Sequence, residues 1–128
     1  MNDYTSDFSE KLARDVIVDL EAIKAIDITL LDVRALTTMT DFMIIATGRS
    51  KRHARALAEN VITATKKAGY PPLGIEGKQY GEWILVDLCD VIVHVMISET
   101  RELYQLEKLW HNPDTRFPAT TGRQTISL

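Results

Sequence analysis

The residues able to do chemistry in this chain are few, and their spacing argues against most chemistries. Nucleotidyl transfer needs a Gly-Ser turn followed by two carboxylates two apart on a strand, holding magnesium ions for in-line displacement. Here Gly48 and Ser50 are separated by Arg49, Asp41 precedes the nearest apolar run, Asp87 and Asp90 stand three apart, and no Asp-x-Asp occurs. The histidines His53, His94 and His111 are scattered and the one cysteine, Cys89, has none beside it, so no zinc pattern forms. Gly-Arg-Ser-Lys-Arg (residues 48–52) lacks the closing glycine of a nucleophile elbow. Cys89 beside Asp90 reads as a structural thiol, because activated thiolates sit in electropositive surroundings. The expectation is a non-enzyme with no metal site and no cofactor.

Two constellations remain, and both suit binding. Gly48–Arg55 (GRSKRHAR) gathers four basic residues and His53 where a helix should start. A helix N-terminus favours anions, so Arg49, Ser50 and Arg52 are candidates to hold a phosphate of a nucleotide or RNA. The alternative is that Ser50 caps the helix and the cations are its solvated face. The second constellation lies in GEWILVDLCDVIVHVMI (residues 81–97). If Glu82–Leu88 and Val91–Ile97 pair antiparallel about Cys89–Asp90, then Leu88/Val91, Val86/Val93 and Ile84/Val95 make one aliphatic face. The other face pairs Asp87 with Ile92, Leu85 with His94, and Trp83 with Met96. That second face either packs under a helix or in a dimer, or grips another protein, with Trp83, Leu85 and Met96 as apolar centre and Asp87 and His94 as polar orienters.

The elements that must position these residues follow from periodicity. Leu12, Val16, Leu20 and Ile23 predict a helix over about Ser9–Ile26, with Ser9 as N-cap. Asp27–Val33 and Phe42–Thr47 read as strands, joined by the threonine-rich connector 35–41. A second helix is predicted over Lys51–Ala68 with Gly69 as its stop, then a short strand at Leu73–Glu76 and the hairpin. A third helix is predicted over Glu99–His111 with Ser98 as N-cap and Leu103, Leu106 and Trp110 as its core stripe. Arg101, Tyr104 and Lys108 fall on another side, as a polar rim to the Trp83 face. The order predicts a single α/β domain over residues 1–112, with a mixed five-stranded sheet, helices mainly on one face and a parallel crossover within Phe42–Glu76. Residues 113–128, rich in Thr, Pro, Gly and Arg, read as a weakly ordered tail.

Composition agrees with a binding protein of ordinary character. At 128 residues, 45% hydrophobic and 26% charged, the chain matches one soluble globular domain. Apolar runs are strand-sized, so no membrane span is expected, and the acidic start is unlike a signal peptide. A lone cysteine fits a reducing cytoplasm. Fifteen Lys and Arg against 18 Asp and Glu give a net charge of −3, a poor footprint for naked nucleic acid.

Three segments together resemble the iojap family, the bacterial ribosomal silencing factors: DVRALTTMTDFMIIATGRSKRHARALAENV (residues 32–61), PLGIEG (residues 72–77) and EWILVDLCDVIVHVM…RELYQLEKLW (residues 82–110). The resemblance implies a nucleotidyltransferase-like fold without that activity, a homodimer when free, and docking on the fourteenth protein of the large ribosomal subunit. Occupying that surface would block subunit joining and repress translation in starved or stationary cells, with ribosomal RNA only a neighbour. Trp83, Leu85, Met96, His94, Asp87, Tyr104 and Lys108 would contact the partner. A nucleotide- or RNA-binding protein using the Gly48–Arg55 turn is the alternative. Two departures stand out: Cys89 occupies a position where the family has glycine, and the chain runs well past Trp110.

Overall fold

The computed structural model describes residues 3–110. The expected tail 113–128, and the end of the third helix at His111, lie outside the described residues. The order is α1 (Asp3–Ala22), β1 (Ile26–Asp32), β2 (Phe42–Gly48), α2 (Lys51–Lys67), β3 (Gly74–Glu76), β4 (Trp83–Asp87), β5 (Val91–Ile97), α3 (Ser98–Tyr104) and α4 (Leu106–Leu109). The five strands form one mixed sheet in the order β1-β2-β5-β4-β3, as the sequence pattern implies for its class. Strand β2 lies parallel to β5, and the pairs β1–β2, β5–β4 and β4–β3 are antiparallel. The crossover through α2 therefore joins strands of like direction at a distance, since β5 and β4 lie between β2 and β3.

The hairpin has the register expected from alternation alone, with Trp83 opposite Met96, Leu85 opposite His94 and Asp87 opposite Ile92. Its aliphatic side, with Ile44 and Ala46 of β2, is covered by α1 and α2 through Leu12, Val16, Leu20, Leu57 and Val61, forming the main core. Strand β2 is buried at all seven positions, so its other side needs cover as well. Val33, Met43, Ile45 and Met96 supply a second, smaller cluster there, closed by Leu106 with Trp110 and Trp83 packed at its margin.

Several boundaries differ from expectation for identifiable reasons. Ser9 does not cap α1 but sits fully buried inside it, because Phe8 extends the apolar stripe backward and packs edge-on against Tyr70 with ring centroids 5.0 Å apart. The helix ends before Ile26 because Lys24 turns left-handed (φ 62°) and the Ala25 N–H closes onto the Leu20 carbonyl at 3.1 Å. Ser98 is the first helical residue of α3, not its cap; Ile97 holds the cap position with no side-chain hydrogen bond. The third helix is broken at Gln105, which is left-handed (φ 46°), so Leu106 and Trp110 turn inward while Leu103, expected in the core, is 75% exposed.

Cys89 carries the strain that its departure from glycine predicts. Its φ is +76°, and the Asp90 N–H bonds the Leu88 carbonyl at 3.0 Å across it, a γ-type reversal that L side chains disfavour. The Asp87 carboxylate steadies the turn by accepting the Cys89 N–H at 2.8 Å. A left-handed non-glycine residue costs about 1–3 kcal/mol, and glycine returns part of that as unfolded-state entropy. Cys89→Gly is expected to raise unfolding stability by about 1 kcal/mol in urea titrations, with the hairpin register unchanged; a loss of stability would mean the thiol makes a compensating contact.

Candidate functional site

The sheet face opposite α1 and α2 is covered on only one half. From β1 to β4 it presents Thr29 and Leu31, then Met43, Ile45 and Thr47, then Ile92, His94 and Met96, then Trp83, Leu85 and Asp87. The α3–α4 segment lies over the β1–β2 side, while Trp83, Leu85, Asp87 and Ile92 on the β4 side are half-buried. Tyr104 (56% exposed) borders this open half from the helical segment, and Lys108 of α4 is exposed.

The expected site residues divide by depth. Trp83, Leu85 and Asp87 reach the surface, with Asp87 already committed to the Cys89 N–H. Met96 does not: it is fully buried beside Val33, Met43, Ile45 and Leu106, so its expected place at an exposed apolar centre is corrected. The broken helix covers it, which strand alternation could not reveal. His94 is also buried, 5% exposed, and orients Trp83 from beneath instead of meeting solvent. The indole Nε1–H donates to His94 Nδ1 at 2.9 Å, which places the imidazole's own proton on Nε2. Tyr104 lies against the indole, with centroids 5.1 Å apart and planes tilted 48°. Buried imidazole, half-buried indole and exposed phenol thus form one row.

Arg101 is the largest correction. Expected on the polar rim, its side chain is 12% exposed and bonded to Glu107, Thr29, Thr47 and the Asp27 carbonyl. Ile92, placed by alternation opposite Asp87, joins the open apolar surface, and two glycines set the start of β4. Gly77 (φ +80°) lies so close to β4 that a Cβ would sit 2.0 Å from the Trp83 carbonyl, and Gly81 (φ +79°) lies against Lys51. Arg55 holds the loop between them, donating to the Lys78 and Gln79 carbonyls at 3.2 and 3.4 Å. The signal for this loop was present as two glycines flanking a polar run just before Trp83.

The Gly48–Arg55 turn is built for its own corner. Ser50 Oγ accepts the His53 N–H at 3.0 Å, as expected of a cap. His53 Nδ1 accepts the Arg49 N–H at 2.9 Å, and its Nε2–H donates to the Ile23 carbonyl at 2.7 Å. Arg49 reaches the Lys24 carbonyl at 3.4 Å, while Arg52 is exposed. Because Ser50 and His53 are engaged within the corner, the geometry favours the capping reading over anion binding. Asp41 and Asp90 come near one another at the other end of β2; burial, then Asp41, raises the Asp90 pKa. Among the described residues, no three His, Cys, Asp or Glu side chains are grouped to hold a metal ion. Nor is any described helix long and apolar enough to cross a membrane.

Comparison with known proteins gives the family and the fold. The sequence profile of the family described as "Ribosomal silencing factor during starvation" matches residues 6–126, past the Trp110 limit of the resemblance read from motifs, and the chain belongs to that family. A ribosomal silencing factor from Haemophilus influenzae is 52% identical over 91 residues, covering 71% of this chain and 89% of the relative. A crystal structure of a Chromobacterium violaceum protein superposes with a TM-score of 0.78 at 44% identity, covering 79% of this chain and 84% of that one. Further away, the mouse protein named "Mitochondrial assembly of ribosomal large subunit protein 1" is 37% identical over 87 residues, covering 66% of this chain and 38% of its own length. Membership of this family implies ribosome-associated regulation of translation.

Burial holds the His94 pKa down to about 4 from 6.5. The unfolded chain therefore binds the proton more readily, so the His94 contribution to stability is complete above pH 6.5 and drains as pH falls towards 4, by roughly 3 kcal/mol at most. Asp19 acts with the opposite sign, because burial, then Asp15, raises its carboxyl to about 6, and the fold loses stability as pH rises from 3.8 through that value. Comparing variants separates the two. Relative to wild type, His94→Gln is expected to gain about 2 kcal/mol of stability between pH 7 and pH 4.5 in urea titrations. A difference that does not change with pH would show that His94 charges as easily folded as unfolded.

Proposed function

We propose that this protein docks on the large ribosomal subunit, through its fourteenth protein, and by occupying that surface keeps the small subunit from joining. Translation is then repressed by steric competition, without catalysis or a cofactor, in the cytoplasm of starved or stationary cells. The observation that carries the reading is the half-open sheet face: Trp83, Leu85 and Ile92 form an apolar strip, Asp87 lies at its edge, and Tyr104 lies against the indole; Lys108 would belong to the polar rim. An aromatic anchor within a partly desolvated apolar patch and a polar rim is the usual composition of an interface hot spot. Family membership supports the ribosome as partner, and the mouse relative's name supports the large subunit.

Met96 and His94 enter this function as the floor under Trp83 and not as contacts. A net charge of −3 steers the protein towards a basic ribosomal protein and away from RNA phosphates. A single interface of standard size, about 1,600 Å² in total, is enough for steric exclusion. The free protein is a homodimer on this reading.

Co-sedimentation with separated ribosomal subunits tests the proposal. The protein is expected to pellet with large subunits only, and Trp83→Ala to weaken that binding at least tenfold, about 1.4 kcal/mol or more, while retaining its fold. A folded Trp83→Ala protein binding at wild-type affinity would sink the assignment of the face. Binding that instead falls steeply with salt and depends on Arg49 and Arg52 would favour RNA and the Gly48–Arg55 turn.

A further inference from the structure

The helical segment that borders the open face has little apolar anchorage. Helix α3 buries no residue, α4 buries only Leu106, and Leu103 and Leu109 point to solvent at 75% and 73% exposure. Nevertheless Tyr104, at the end of α3, lies in ring contact with Trp83. Beyond Leu106 and Trp110, the fastening is polar and centred on one side chain.

Arg101 uses every N–H of its guanidinium. Nε and Nη2 donate to Glu107 Oε2 at 3.2 and 2.6 Å, Nη2 also donates to Thr29 Oγ1 at 2.9 Å, and Nη1 donates to Thr47 Oγ1 at 2.9 Å and to the Asp27 carbonyl. These partners come from β1, β2 and α4, so one residue of α3 ties four elements together. The Asp27 carbonyl is available because β1 is irregular between Ile26 and Thr29, with Asp27 left-handed at φ 50°. Glu107 lies two residues beyond the break at Gln105, so the same contact sets the angle between α3 and α4.

We infer that Arg101 is a positioning residue for docking: it sets α3 on the sheet so that Tyr104 is held against Trp83 at the edge of the open face. The inference rests on the docking role proposed above. It follows from geometry that lysine cannot substitute, because one ammonium on a flexible stem cannot reproduce a planar fork reaching partners on three sides. The partner then meets a ring pair already in place, and little ordering of α3 remains to be done on binding.

The test uses the full chain with Arg101→Ala, Arg101→Lys and, as control, Trp83→Ala. Amide exchange of β2 and β5 reports whether the sheet is intact, proton–proton contacts between the Trp83 and Tyr104 rings report the positioning, and co-sedimentation reports docking. Both Arg101 variants are expected to keep the protected sheet, to lose the ring contacts, and to bind large subunits at least tenfold more weakly. Ring contacts that persist in Arg101→Ala, or in Arg101→Lys should the alanine variant not fold, overturn the inference whatever the ribosome does. So does wild-type binding by the Arg101 variants when Trp83→Ala is defective. If Trp83→Ala itself binds like wild type, the docking face is wrong, and that failure is distinct from persistence of the ring contacts.

Discussion

The arrangement depends on one constraint: β2 is apolar on both sides and sits inside the sheet. All seven of its residues are buried, so neither face of the β2–β5 pair can be left in water. Two long helices satisfy one side in full. The other side is closed by a short, broken segment that reaches over β1 and β2 and stops. What it fails to cover, the β4 flank with Trp83, Leu85 and Ile92, stays half-buried and is the surface proposed for a partner. The candidate site is a consequence of incomplete layering in a domain that needs cover on two faces.

The parts legible in the sequence were those governed by local periodicity. Strict alternation in WILVD and VIVHVMI gave the hairpin register and its two chemically distinct faces, because any one-residue slip would carry Asp87 and His94 into the aliphatic core. Ser50 and Gly69 marked the ends of α2 by ordinary capping chemistry. What could not be read were non-local contacts. Alternation places Met96 and Trp83 on the same face, but only the packing of Leu106 decides that one is buried and the other half open. Arg101 looked like a rim charge because three of its partners, Asp27, Thr29 and Thr47, are more than fifty residues away. Nor does anything local announce that Gln105 turns left-handed and divides a stripe that otherwise reads as one helix.

Both described histidines that might have suggested catalysis or phosphate binding act as hydrogen-bond acceptors at Nδ1. His53 receives the Arg49 N–H and His94 the Trp83 indole N–H. An imidazole that accepts at one nitrogen must be neutral, and it then donates from the other. His53 uses this to join the end of α1 to the start of α2. The preference for neutral His94 is reinforced by burial, since a charged ring there would lose its hydration. The same chemistry that makes histidine a common general base here makes it a rigid bracket, and the difference lies in what occupies Nδ1.

Trp83 is constrained from three directions that do not share a single element. From below, His94 fixes the indole N–H. At the backbone, the Gly77–Gly81 loop, held by Arg55 from α2, presses against the Trp83 carbonyl and sets where β4 begins. From above, Tyr104 lies against the ring, on a helix that Arg101 ties to β1 and β2. A half-exposed indole in water would otherwise sample several rotamers, and ordering it on contact with a partner would subtract from affinity. Independent brackets of this kind are costly to assemble if the ring serves only to fill space, because Leu or Met would cover the same sheet surface without the need for a hydrogen-bonded histidine beneath. A large rigid ring, held in one attitude and left half open, is instead what a protein surface requires of an anchor.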